Sequence, residues 1–138
     1  GQEEFDQDSF EEHSVYRKSI VWSKEIVHWS EGVYFKEKRT LRDVYRVLVN
    51  AHLVPVKLSF ACGEEMVGDM FSVDIALKEY DLARIYLERT ENSLHALMLS
   101  GILPDEFISS YKQAKCLLKE VNNDIKRLRS QKPSLGII

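Results

Sequence analysis

The 138-residue chain fits one domain and is long enough to bury a real core. Its 44% hydrophobic and 30% charged residues are the mix of a soluble globular protein, and only six Gly and three Pro favour a few long elements over many short strands. A net charge of −3 argues against a phosphate-tracking nucleic-acid binder, and no apolar run approaches the roughly 18 residues that a bilayer span needs.

The chain opens Gly1-Gln2 without an initiator Met, as expected after removal of a signal peptide or excision of a domain from a longer intracellular chain. The two origins imply different compartments, and the residues do not choose between them. Residues 1–8 form an acidic arm, expected to be disordered; Glu3, Glu4, Asp6, Asp8, Glu11 and Glu12 precede the first basic residue, Arg17. A single domain is expected over 9–129, starting at Ser9 as a helix N-cap.

From Phe10 to about Ser30 the pattern is helical. Val15, Tyr16, Ile20, Trp22, Ile26, Val27 and Trp29 cover one arc, opposite Arg17, Lys18, Lys24, Glu25 and His28. Gly32 ends or bends this helix. Thr40 is the expected N-cap of a second, with Asp43 three residues on. Leu41, Val44, Leu48, Ala51, Pro55, Leu58 and Cys62 keep a three-four alternation, which predicts a Pro-kinked helix to about Glu65. The competing pattern is a short strand at 54–60, where Val56, Leu58 and Phe60 alternate with Lys57 and Ser59. That alternative makes the fold α+β, but the chain offers no convincing second strand.

A loop over Met66–Phe71 leads to Ser72 as N-cap of a third helix ending near Ser100. Its seam is Ala76, Tyr80, Ala83, Leu87, Leu94 and Leu97, interrupted by Thr90. Gly101 and Pro104 supply the end of one helix and the start of the next. The fourth helix, Asp105–Arg129, carries Phe107, Tyr111, Ala114, Leu118, Val121, Ile125 and Leu128 at steps of four and three. About 25 residues at about 1.5 Å each make a rod near 37 Å long, unstable until its seam is covered. Residues 130–138 are expected to be a flexible tail. The fold predicted is an all-α, antiparallel up-down-up-down four-helix bundle.

No motif for catalysis stands out. Glu25 and His28 have the E-x-x-H spacing of di-metal bundles, but no second copy exists and both lie on a polar arc. His13, His28, His52 and His95 lie outside any recognisable nucleophile elbow or zinc motif, so no catalytic residue, metal or cofactor is assigned. His52, beside the Pro55 kink, is expected to be partly buried. Cys62 and Cys116 are expected to be free thiols. Glu79 projects into the apolar arc of the third helix and needs a partner there.

The surface signal is Lys112, Lys115, Lys119 and Lys126, within about 60° of one another on the last helix and with no aromatic among them. These lysines and Glu79 are candidate partner-binding residues, with Ile85 and Ile108 as candidate exposed apolar side chains. The function expected is a non-catalytic interaction or adapter module that binds a protein partner through helix faces. Self-association into a homodimer is one form of this, and an anionic membrane surface is a weaker one. The alternative is a ligand-binding bundle with an aromatic pocket at Trp22, Trp29 and His52; an enzyme of unknown type ranks third.

Overall fold

The computed structural model describes residues 13–36, 41–101 and 108–135. They form α1 (Ser14–Lys36), α2 (Leu41–Val67), α3 (Met70–Leu99) and α4 (Ile108–Leu135). Each helix runs antiparallel to the one before it, and α1 also meets α4, which closes a four-helix bundle. No strand occurs among the described residues, so the 54–60 segment is helical. The expected caps at Thr40 and Pro104, the start at Ser9, and the acidic arm lie outside the described residues.

In α1 the buried positions are Val15, Ser19, Trp22, Ser23, Ile26, Trp29 and Ser30. Gly32 does not end this helix. A mid-helix Gly costs only about 1 kcal/mol, and Val33 and Tyr34 beyond it pack against the core.

The helix α2 runs unbroken through Pro55. Proline has no N–H, so the carbonyl of Ala51, one turn back, loses its helical donor. The Ser23 hydroxyl of α1 takes that place and donates to the Ala51 oxygen at 2.9 Å in a buried contact. Ser23→Ala should therefore cost about 1–3 kcal/mol, the penalty of an orphaned buried acceptor. With Pro55→Ala already present the loss should shrink, because residue 55 then supplies its own N–H. Urea denaturation of the four-member cycle measures the coupling; equal costs in both backgrounds would sink the assignment.

Between α2 and α3 the turn is tighter than the predicted loop. Gly68 takes φ +81° just after α2 ends. Asp69, not Ser72, is the N-cap of α3, and its side chain accepts the Ser72 amide at 2.7 Å. The α3 seam is buried as the spacing requires, and Thr90 is inside it. The hydroxyl of Thr90 donates to the Tyr86 carbonyl at 2.8 Å, so the seam is continuous. Gly101, at φ +73°, occupies the left-handed position after α3.

In α4 the buried set is Ser110, Ala114, Leu117, Val121, Ile125 and Leu128, with Leu118 half-buried against the core. Leu117 replaces Leu118 at the centre because α4 packs on α1 as well as α3. The helix also continues six residues past Arg129, to Leu135, and Lys132 of that extension pairs with Asp74 of α3 at 2.6 Å. The most extensive packing is between α2 and α3, and among the neighbouring pairs the slightest is between α1 and α4.

Candidate functional site

Three features stand apart from the core. The first is a second apolar face on α2. Tyr45, Val49, His52, Val56, Phe60, Gly63 and Val67 follow one another at steps of four, three, four, four, three and four. At 100° per residue they fall within an arc of about 80°. Tyr45, Phe60 and Val67 are each more than half exposed, and Val49 and Val56 more than a third. The core residues of the same helix, Val44, Val47, Ala51, Val54, Leu58, Ala61 and Cys62, lie nearly opposite. So α2 is apolar on both sides, a pattern belonging to a helix covered on both. At its end the ridge meets Met66, Met70 and Phe71, the last 75% exposed.

His52 is thus a ridge residue open to solvent, not a partly buried one. Its position on the helix puts it opposite the core, and proximity to Pro55 has no bearing on that. Trp22 and Trp29 are buried. Ile85 and Ile108 are half-buried, and the large exposed side chains are those of the ridge and turn together with Val21 and Leu99.

The second feature is a groove of about 1070 Å³ between α1 and α4, where helix contact is slight. Ile20, Val21, Trp22 and Leu117 supply its apolar lining, and Arg17 and Lys119 line it with positive charge. Lys18 is paired with Glu120 at 3.2 Å. It takes in Trp22 but neither Trp29 nor His52. The stripe lysines Lys112, Lys115, Lys119 and Lys126 of α4 are all exposed. Lys115 is engaged: it pairs with Glu91 of α3 at 3.0 Å and lies over the Tyr111 ring at 5.0 Å. An aromatic does therefore stand among the lysines, one turn from Lys115. Hydrogen bonding to Glu91 and then to Tyr111 raises the Lys115 ammonium above its ordinary value.

The third is a partly buried polar cluster that joins α2, α3 and α4 to His13 at the head of α1. Tyr80 of α3 is fully buried, and its hydroxyl donates to Glu65 Oε2 of α2 at 2.7 Å. Cys62 Sγ lies 3.5 Å from the same hydroxyl. Arg127 of α4 grips Glu65 Oε1 at 2.5 Å and Asp124 at 3.0 Å. His13, immediately before α1, places Nε2 3.8 Å from Glu65 and 4.0 Å from Asp124, while its Nδ1 is buried without a hydrogen-bond partner among the described residues.

Burial pushes the Cys62 thiol up to about 11, which outweighs the Tyr80 contact acting the other way. Burial, then the Cys62 and Glu65 neighbours, raises the Tyr80 phenol well above its usual range. Burial alone would lower the Arg127 guanidinium, but Glu65 and Asp124 overcome it and hold the group charged. Near neutrality Cys62 is therefore a thiol and not a nucleophilic thiolate. The cluster's chemistry is that of a register lock, with opposite charges and a phenol donor matched across helices.

No spacing rule links these six residues, so sequence reasoning missed them. The one available signal was Tyr80 itself, since a seam tyrosine needs a partner for its hydroxyl. Glu79, the acid singled out from the sequence, faces elsewhere: its Oε2 is buried and stands 3.6 Å from Lys57 Nζ of α2, beyond hydrogen-bond reach. Glu25 and His28 are exposed, and no group of three or more metal-binding side chains gathers among the described residues. Cys62 and Cys116 are free. No helix among the described residues is long and apolar enough to cross a membrane. Comparison with protein-family models, curated proteins and solved structures finds no match in any of the three.

Proposed function

We propose that this chain is a helical interaction module, and that a protein partner docks on the outer ridge of α2. The observation that carries the reading is the double-faced apolarity of α2. Its inner face is already satisfied by the bundle, so the outer set, apart from the Tyr45 ring 6.3 Å from that of Tyr34, adds little to the chain's own core. A ridge of this kind exceeds scattered surface hydrophobes, and contiguous exposed apolar surface marks binding surfaces in soluble proteins. Its spacing suits a partner helix packed along it.

A second reading places an acidic amphipathic helix of a partner in the α1–α4 groove. Its support is the apolar lining beside Arg17 and Lys119, continued along α4 by Lys112 and Lys126. Glu79 is the weakest of the partner-binding candidates, because Lys57 already stands beside it.

One experiment weighs the two. A photoreactive residue replaces either Phe60 or Lys119, and Lys78, exposed on α3, serves as the control position. The crosslinked products formed in the native cell are identified by mass. A product formed from position 60 alone supports the ridge, and one from position 119 alone transfers the function to the groove. Labelling at both no stronger than at the control would sink the docking proposal.

A further inference from the structure

We infer that the occupant of the α2 ridge is a second copy of this chain, lying antiparallel across a two-fold axis at Val56. The inference rests on the ridge being a docking surface, as proposed above. Val56 is the midpoint of the ridge, eleven residues from Tyr45 and eleven from Val67. Reversing a second α2 about that point sets Val56 on Val56, Phe60 beside His52, Gly63 beside Val49 and Val67 beside Tyr45. Each bulky side chain then meets a smaller or flatter one, as interdigitating helices require.

Gly63 supplies an independent argument. Inside a helix it costs about 1 kcal/mol relative to Ala, and a Cβ built there meets nothing within 4 Å in the chain's own fold. The monomer's packing therefore gives no reason for the missing side chain. A facing helix does, because the second copy's Val49 comes to rest there.

Charge complementarity settles the direction. Arg42 and Arg46 are exposed near the start of α2, and Glu64 lies near its end on the same flank of the ridge. Arg46 and Glu64 make no ion pair among the described residues, whereas Lys57 on that flank is neutralised by Glu79 and covers the Phe60 ring at 5.9 Å. An antiparallel copy brings Arg46 within about one turn of the second copy's Glu64. A parallel copy would instead place this flank against the opposite one, keeping Arg46 and Glu64 apart, and would set Gly63 on Gly63 with a void between them.

The contact is narrow. About 33 Å of helix by about 10 Å of width gives roughly 330 Å² in projection per copy, below the roughly 800 Å² per partner of stable interfaces, so the dimer is a weak, transient one. Dissociation on the order of micromolar is expected.

The test is directional crosslinking in a Cys116→Ser background, with circular dichroism confirming that each variant is folded. Val56→Cys should form a disulfide-linked dimer under mild oxidation. Val49→Cys should not, but Val49→Cys combined with Gly63→Cys should. In sedimentation equilibrium, Arg46→Glu should weaken dimerisation about tenfold, and adding Glu64→Arg should recover it. Equal linkage of Val49→Cys and Val56→Cys would overturn the antiparallel arrangement. A chain that stays monomeric through the micromolar range, with Val56→Cys unlinked, would overturn the second-copy inference. If the probe at position 60 then labelled a different protein, the ridge would still stand as a docking surface; if it labelled nothing, both would fall.

Discussion

Replacing Trp22 by alanine is expected to lower the stability of the fold by about 3 kcal/mol. Trp22 is 1% exposed and is the largest side chain buried so completely. Its indole N–H donates to the Ser110 carbonyl at 2.9 Å, which makes it the main bolt between α1 and α4. Those two helices touch less than any other neighbouring pair, and the other polar links between them, Ser14 and Lys18 to Glu120, lie at the exposed surface and replace little of its load. Aromatic-to-alanine changes in cores cost about 3–5 kcal/mol. The lower end applies because the vacated space opens on the α1–α4 groove, where water enters instead of leaving a void. Trp22→Phe keeps most of the apolar volume and loses the N–H donor, and about 1 kcal/mol is expected for it. Equilibrium urea denaturation of the two variants separates volume from hydrogen bond. A loss below about 1 kcal/mol for Trp22→Ala would mean that α1 is held by α2 alone.

Single-helix patterns were legible in the sequence, and contacts among several helices were not. The α3 seam and most of the α4 seam follow from spacing, because one stripe on one helix must be buried whatever covers it. Leu117 was missed in favour of Leu118 because a strict three-four alternation describes one neighbour, and α4 has two. Pro55 allowed a kinked helix to about Glu65, the favoured pattern, or a short strand, and the described residues form one helix through it. The helix survives because Ser23, 28 residues away in the chain, satisfies the carbonyl that proline leaves without a donor. The polar cluster was invisible for the same reason. His13, Glu65, Tyr80 and Arg127 are distant in sequence, and only the bundle brings them together. The outer ridge of α2 is different. Its residues have a regular spacing of their own, but the core stripe claimed the helix first, and a second apolar face on one helix is easily taken for breadth of the first.

The cluster makes the fold sensitive to alkali. Below about pH 9, Cys62 is protonated in both the folded and unfolded chain and does not affect their balance. Its ordinary value is 9.0, and burial in the fold pushes it up to about 11. Between those values the unfolded chain releases the proton and the folded chain keeps it, so stability falls as pH rises. With each pH unit worth about 1.4 kcal/mol, the loss is on the order of 2–3 kcal/mol by pH 11. Tyr80 adds a loss of the same sign that begins at its ordinary value of 10.0, because its folded value is also raised. Its slope approaches about 1.4 kcal/mol per pH unit. Because the two groups touch, they titrate as a pair, and together they should remove a few kcal/mol by pH 11, a large share of the roughly 5–15 kcal/mol that holds such a domain folded. Arg127 stays charged throughout and holds Glu65 and Asp124 in place. Denaturation midpoints collected from pH 8 to 11 test this, and two variants assign it. Cys62→Ala should flatten the fall between pH 9 and 10, even though its cavity lowers the whole curve. Tyr80→Phe should leave that window unchanged and flatten the next. If the three curves run parallel, the protons lost on unfolding belong to other groups, and the cluster does not couple pH to the joining of the helices.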